Sequence, residues 1–128
     1  KIIRGAASIA QGKTEFLELG NLDIERDWGY APDYVQGMWM MLQQEKGSDY
    51  ILATGKTHKL SDFLQLSFEY FGLDHQKHIR INPKFVRPNE PVQLCGDSSK
   101  AQNILGWKPS VTFEQMVKSM CGAAEKSN

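Results

Sequence analysis

The stretches of this chain that alternate apolar and polar residues are short, and helical patterns separate them. Residues 14–19 alternate like a strand and stop at Gly20, and residues 26–30 extend like a second one. Residues 47–55 read as a turn and then a buried strand closed by Gly55; residues 78–82 alternate again before Pro83. Short strands interleaved with helices favour an α/β arrangement over separate blocks. The expected fold is a small, helix-rich mixed α/β lobe, too poor in strand to build a complete dinucleotide-binding sheet.

The helical patterns carry their own stops. Ile2, Ile3, Ala6, Ile9 and Ala10 fall on one face, and Gly12 can end that helix. Pro32 suits a first turn, where its missing N–H costs nothing, and Val35, Met38, Trp39 and Leu42 then give an apolar face. Ser61 is placed to cap a helix striped by Phe63, Leu64, Ser67, Phe68 and Phe71, with Gly72 as its stop. Residues 85–94 hold two prolines and read as a loop or edge element. Asp97 caps a short helix ending at Gly106. Thr112 and Gln115 form a capping box for a last helix lined by Phe113, Met116, Val117, Met120 and Cys121, and residues 125–128 are expected to fray. This gives about five helices and four or five short strands in one ordinary domain.

Composition narrows the function. Fifteen basic and 15 acidic residues leave no net charge, which argues against a general nucleic-acid binder. A small anionic ligand needs only two or three placed cations. No apolar run approaches the ~20 residues of a membrane span, and the start of the chain does not resemble a signal peptide. It lacks an initiator Met, so the expectation is a chain beginning partway through something longer. Cys95 and Cys121 show neither zinc spacing nor a disulfide framework, and a reducing cytoplasm is expected. No G-x-G-x-x-G or complete phosphate loop occurs; the G-K-T at Gly55–Thr57 lacks the upstream glycine. No serine sits in G-x-S-x-G. His75 and His78 lie in a polar stretch without partners at ligand spacing, and a solvated loop is expected there.

Two arginine sites stand out. Arg26 stands beside Asp27 and Trp28 just ahead of a helix, and Arg87 lies three residues before Glu90. A guanidinium grips phosphate through paired N–H donors, and a carboxylate can accept two ribose hydroxyls. Arg87 and Glu90 are therefore either a reader of a phosphate and its sugar or an exposed ion pair worth under ~1 kcal/mol. Arg26 is likewise either a solvated charge or one side of an anion site.

Four segments, in order, carry a resemblance: residues 19–44, 49–72, 81–90 and 96–117. Together they resemble the C-terminal part of GDP-mannose 4,6-dehydratases, in the extended short-chain dehydrogenase/reductase family. The segment around "RDWGYAPDYVQGMW" is the most specific; "LGWKPSVTFEQ" is shared more loosely by nucleotide-sugar epimerases and dehydratases. The resemblance implies that residues 1–128 are a nucleotide-sugar-binding lobe whose cofactor-binding Rossmann domain is absent from the chain. It implies that Arg26 and Arg87 flank a diphosphate, that Glu90 meets the ribose and that Lys1 borders the substrate. Trp28 and Gly29 would fix the backbone that aims Arg26. The substrate implied is GDP-mannose, converted with NADP to GDP-4-keto-6-deoxymannose by a cytoplasmic enzyme that oligomerises when full-length. No catalytic residue of the family maps onto this chain, so the piece alone is expected to be inactive. The stretch between Asp74 and Ile81 is short for the family, as a trimmed surface loop would be. A related reductase or epimerase lobe, or a stand-alone interaction module, remains as an alternative. A lobe without its partner domain is expected to expose apolar surface and self-associate.

Overall fold

In a computed structural model that describes residues 1–126, the first apolar face becomes helix α1 (Ile2–Ala10), which buries Ile3, Ala6, Ala7 and Ile9. Gly12 follows with φ +68°, a conformation glycine adopts without strain. Strands β1 (Leu17–Leu19) and β2 (Glu25–Arg26) come next, then α2 (Ala31–Leu42) with Pro32 in its first turn. Strand β3 (His58–Lys59) leads into α3 (Leu60–Tyr70). A single turn, α4 (His75–His78), precedes β4 (Ile79–Ile81) and a 3-10 turn at Pro83–Phe85. The chain ends with β5 (Gln93–Leu94), α5 (Ser99–Leu105) and α6 (Phe113–Lys126). The mixed α/β character expected from the sequence holds, with short strands throughout.

These elements form two compact units. The first comprises Lys1–Ile24, Lys59–Val92 and the residues from Val117 onward. Its core joins Ala6 and Ile9 of α1, Leu17 and Leu19 of β1, and Leu64 and Phe68 of α3. Strand β1 pairs in parallel with β4, Leu17 opposite Ile79 and Leu19 opposite Ile81. Asn82 extends the pairing: its N–H donates to Leu19 O at 2.8 Å and its side chain to Glu18 Oε2 at 3.0 Å.

The second unit comprises Glu25–His58 and Gln93–Met116. Its core is Ala101 and Leu105 of α5 with Trp107, packed against Tyr34, Met40, Met41 and Leu52. Trp107 Nε1 donates to Asp33 O at 2.7 Å, and Asp33 accepts from the N–H and the hydroxyl of Ser110 at 2.8 and 2.5 Å. The first turn of α2 is thereby bound to the loop after α5. Strand β2 pairs in parallel with β5, Glu25 opposite Gln93 and Arg26 opposite Leu94.

Several expectations are corrected. Val35, Met38, Trp39 and Leu42 do form a stripe on α2, but they are 63, 57, 61 and 81% exposed. The helix packs through its other side, with Asp33 and Gly37 buried. Periodicity identifies a face; it does not say which face has a partner. Residues 49–54 form no strand, because nothing in the described chain pairs with them. Helix α3 is entered at Lys59, two residues before Ser61, and Asp62 accepts the Lys59 N–H at 3.1 Å. His75 and His78 stand in a helical turn rather than a loop, with their rings 6.5 and 6.4 Å from that of Phe68. Met120 is 46% exposed, while Phe113, Met116, Val117 and Cys121 line the buried face of α6 as expected. The capping box of that helix is present, Thr112 N to Gln115 Oε1 at 2.8 Å and Gln115 N to Thr112 Oγ1 at 3.2 Å. Of the four residues expected to fray, Glu125 and Lys126 belong to α6; residues 127–128 lie outside the described residues.

Candidate functional site

Arg26 is half-buried on β2, and its Nη1 donates to Glu25 O at 2.7 Å. It lines a cavity of about 380 Å³ with Asp27, Tyr34, Ala53, Leu94 and Gly96. The next residue holds that cavity together. Asp27 Oδ1 accepts the N–H of Thr54 at 2.9 Å and also its hydroxyl. Asp27 Oδ2 accepts the N–H of Gly55 at 2.9 Å and that of Gly96 at 3.2 Å. The Asp27 N–H donates to Leu94 O at 3.1 Å, continuing the β2–β5 pairing. Trp28 stacks on Phe113 at 5.8 Å, and a Cβ on Gly29 would overlap Tyr34 Oη.

In the first unit, Arg87 and Glu90 flank a turn at Pro88–Asn89, where Asn89 takes φ +60°. Asparagine is among the few non-glycine residues that adopt this conformation readily. Arg87 is exposed and Glu90 half-buried. Lys1 lies near the start of this segment: its Nζ is 4.2 Å from the Phe85 ring centroid and donates to Glu18 O at 2.7 Å. Gly20 meets the same segment, since a Cβ there would overlap Phe85 O. The structure thus brings Lys1 to the 3-10 turn that leads into Arg87, and sets Arg87 and Glu90 on either side of one turn.

Burial pushes the Asp27 carboxyl up, but the Thr54 hydroxyl and the N–H groups of Thr54, Gly96 and Gly55 outweigh it and hold it below the ordinary 3.8. A lowered folded value makes this group's contribution to stability complete above its unfolded pKa. The contribution is lost as pH falls through the folded value. Between about pH 5 and pH 2, the unfolding temperature of the wild type should therefore fall more steeply than that of Asp27→Asn. Parallel melting curves against pH would contradict it.

The sequence profile of GDP-mannose 4,6 dehydratase matches residues 1–120. The chain belongs to the GDP-mannose 4,6 dehydratase family. It is 49% identical over 120 residues to GDP-mannose 4,6 dehydratase 1 of Arabidopsis thaliana, an alignment covering 94% of this chain and 33% of that protein. The chain thus spans about a third of the relative's length. Among solved structures, RMD from Pseudomonas aeruginosa complexed with NADPH superposes with a TM-score of 0.88 at 21% identity, covering 99% of this chain and 42% of that one. The dTDP-glucose 4,6-dehydratase of Bacillus anthracis in complex with NAD gives 0.82 at 18% identity, covering 100% and 40%. These extended short-chain dehydrogenase/reductase enzymes share its fold.

Within this dehydratase-family chain, the residues do not fit a dinucleotide diphosphate. Gly12, Gly55, Gly72 and Gly106 take positive φ singly, and among the described residues no glycine-rich loop opens a helix. Sequence reasoning missed Asp27 as the group that fastens the Arg26 cavity. One signal was available: aspartate is depleted in strands, so an Asp between Arg26 and Trp28 asks for a reason.

Proposed function

We propose that residues 1–128 are the nucleotide-sugar-binding lobe of a GDP-mannose 4,6-dehydratase, which forms GDP-4-keto-6-deoxymannose with NADP bound by a domain outside this chain. The observation that carries this reading is the 49% identity over 120 residues to a GDP-mannose 4,6 dehydratase. Arg26 and Arg87 hold the diphosphate of GDP-mannose, Glu90 accepts hydroxyls of the ribose, and Lys1 borders the substrate. Two guanidinium groups suit this task because they stay charged at cellular pH and present paired donors. The NADPH-bound neighbour of the same fold supports a nicotinamide cofactor for the whole protein. The exposed stripe of Val35, Met38, Trp39 and Leu42 fits a lobe covered by a further domain. Cys95 and Cys121 are both free, which suits a reducing cytoplasm. The full-length enzyme works as a homo-oligomer, and the lobe alone turns over no substrate.

The test grafts this chain in place of the matching third of the Arabidopsis relative. The grafted enzyme should dehydrate GDP-mannose. Arg87→Ala should raise its KM about tenfold, the scale of one charged hydrogen-bonding contact, with kcat within about threefold. An unchanged KM would remove Arg87 from the site. Turnover by the 128-residue chain alone would contradict the lobe reading.

A further inference from the structure

We propose that Asp27 is a positioning residue for Arg26: its carboxylate fastens the two chain segments that wall the Arg26 cavity, and so sets the aim of the guanidinium. The inference rests on the reading of Arg26 as a ligand of the substrate diphosphate.

Three pieces of chain, distant in sequence, meet at this carboxylate. Strand β2 carries Arg26, residues 51–53 form one wall of the cavity and residues 94–96 another. The hydrogen bonds of Asp27 reach both walls, through Thr54 and Gly55 on one side and Gly96 on the other. Each oxygen has its own donors, so the carboxylate is held in rotation as well as in place. The walls also touch: a Cβ on Gly96 would overlap Ala53 Cβ. Glycine at that position lets the two backbones close on Asp27.

Behind Arg26, the strand is held by a separate lattice. Gln93 Nε2 donates to Glu25 Oε2 at 3.2 Å and to Thr57 Oγ1 at 3.0 Å, and Thr57 Oγ1 donates to Glu25 Oε2 at 3.0 Å. Arg26 therefore sits between two anchors, and the Asp27 anchor hydrogen-bonds to the chain on both sides of the cavity. A long side chain aimed by a rigid backbone loses less entropy when it binds its ligand.

Asparagine in place of Asp27 keeps the size, but one of its two ends becomes an N–H donor facing N–H donors. Asp27→Asn should therefore loosen one wall without emptying the site.

The grafted full-length dehydratase tests this with GDP-mannose as ligand, in calorimetric titrations and steady-state kinetics. Arg26→Ala, Asp27→Asn and Gly96→Ala should each weaken binding about tenfold and raise KM alike, with kcat within about threefold. Arg26→Ala combined with Asp27→Asn should bind within about twofold of Arg26→Ala alone, because a residue acting only through Arg26 has nothing left to position. Gly96→Ala leaves the carboxylate intact, so it decides the matter if Asp27→Asn fails to fold. Wild-type affinity in the folded Asp27→Asn enzyme, or losses that multiply in the double variant, would overturn the inference while leaving Arg26 a ligand. Unchanged affinity in Arg26→Ala would sink both the ligand reading and the inference built on it.

Discussion

Replacing Trp107 by alanine should lower the unfolding free energy by about 3–5 kcal/mol, the range for removing a buried aromatic. Trp107 is 2% exposed and sits at the centre of the second unit's core. Its ring lies 5.9 Å from that of Tyr34, and Gly37 leaves room for it: a Cβ there would stand 3.0 Å from Trp107 Nε1 and 2.7 Å from Leu52 Cδ1. The loss compares with a total stability of about 5–15 kcal/mol for an ordinary domain. Urea unfolding followed by circular dichroism measures it. Trp107→Phe separates the two contributions, because it keeps most of the packing while deleting the hydrogen bond to Asp33 O. That variant should lose about 1–2 kcal/mol. Equal losses in the two variants would mean that the hydrogen bond, and not the packing, carries the site.

What was legible in the sequence follows from what is local. The capping box at Thr112 and Gln115 and the glycine stops at Gly12 and Gly106 depend on neighbouring residues and are present, and of the apolar face of α1 Ile3, Ala6 and Ile9 are buried while Ala10 is exposed. The stripe on α2 shows where local pattern stops helping. Val35, Met38, Trp39 and Leu42 have faultless helical spacing yet face solvent, because the face that packs is chosen by Trp107 and Leu52. Residues 49–54 fail as a strand for a related reason: a strand exists only with a neighbour, and the neighbour cannot be read from the segment. The closeness of Arg87 and Glu90 was legible because one turn separates them. The hydrogen bonding of Asp27 was not, since its donors lie 27, 28 and 69 residues away.

Asp33→Ala should cost about 2–4 kcal/mol, which is large for a side chain that carried no sequence signal. Asp33 is 5% exposed, and a polar side chain so buried is tolerated only where hydrogen-bond partners replace its water. Ser110 supplies two, its N–H to Oδ2 and its hydroxyl to Oδ1. Asp33 also stands in the first turn of α2, where a negative charge meets the positive end of the helix. Truncation leaves the Ser110 N–H without its acceptor and removes the side-chain tie between α2 and the loop after α5, while the Trp107 Nε1 bond to the main-chain carbonyl at position 33 stays. Ser110→Ala deletes only the hydroxyl donor, so it should cost no more than about 1–2 kcal/mol. The two losses should not add: once Asp33 is gone, the Ser110 hydroxyl has little left to contribute, and the double variant should match Asp33→Ala within about 0.5 kcal/mol. Fully additive losses in urea unfolding would show that the two residues act independently.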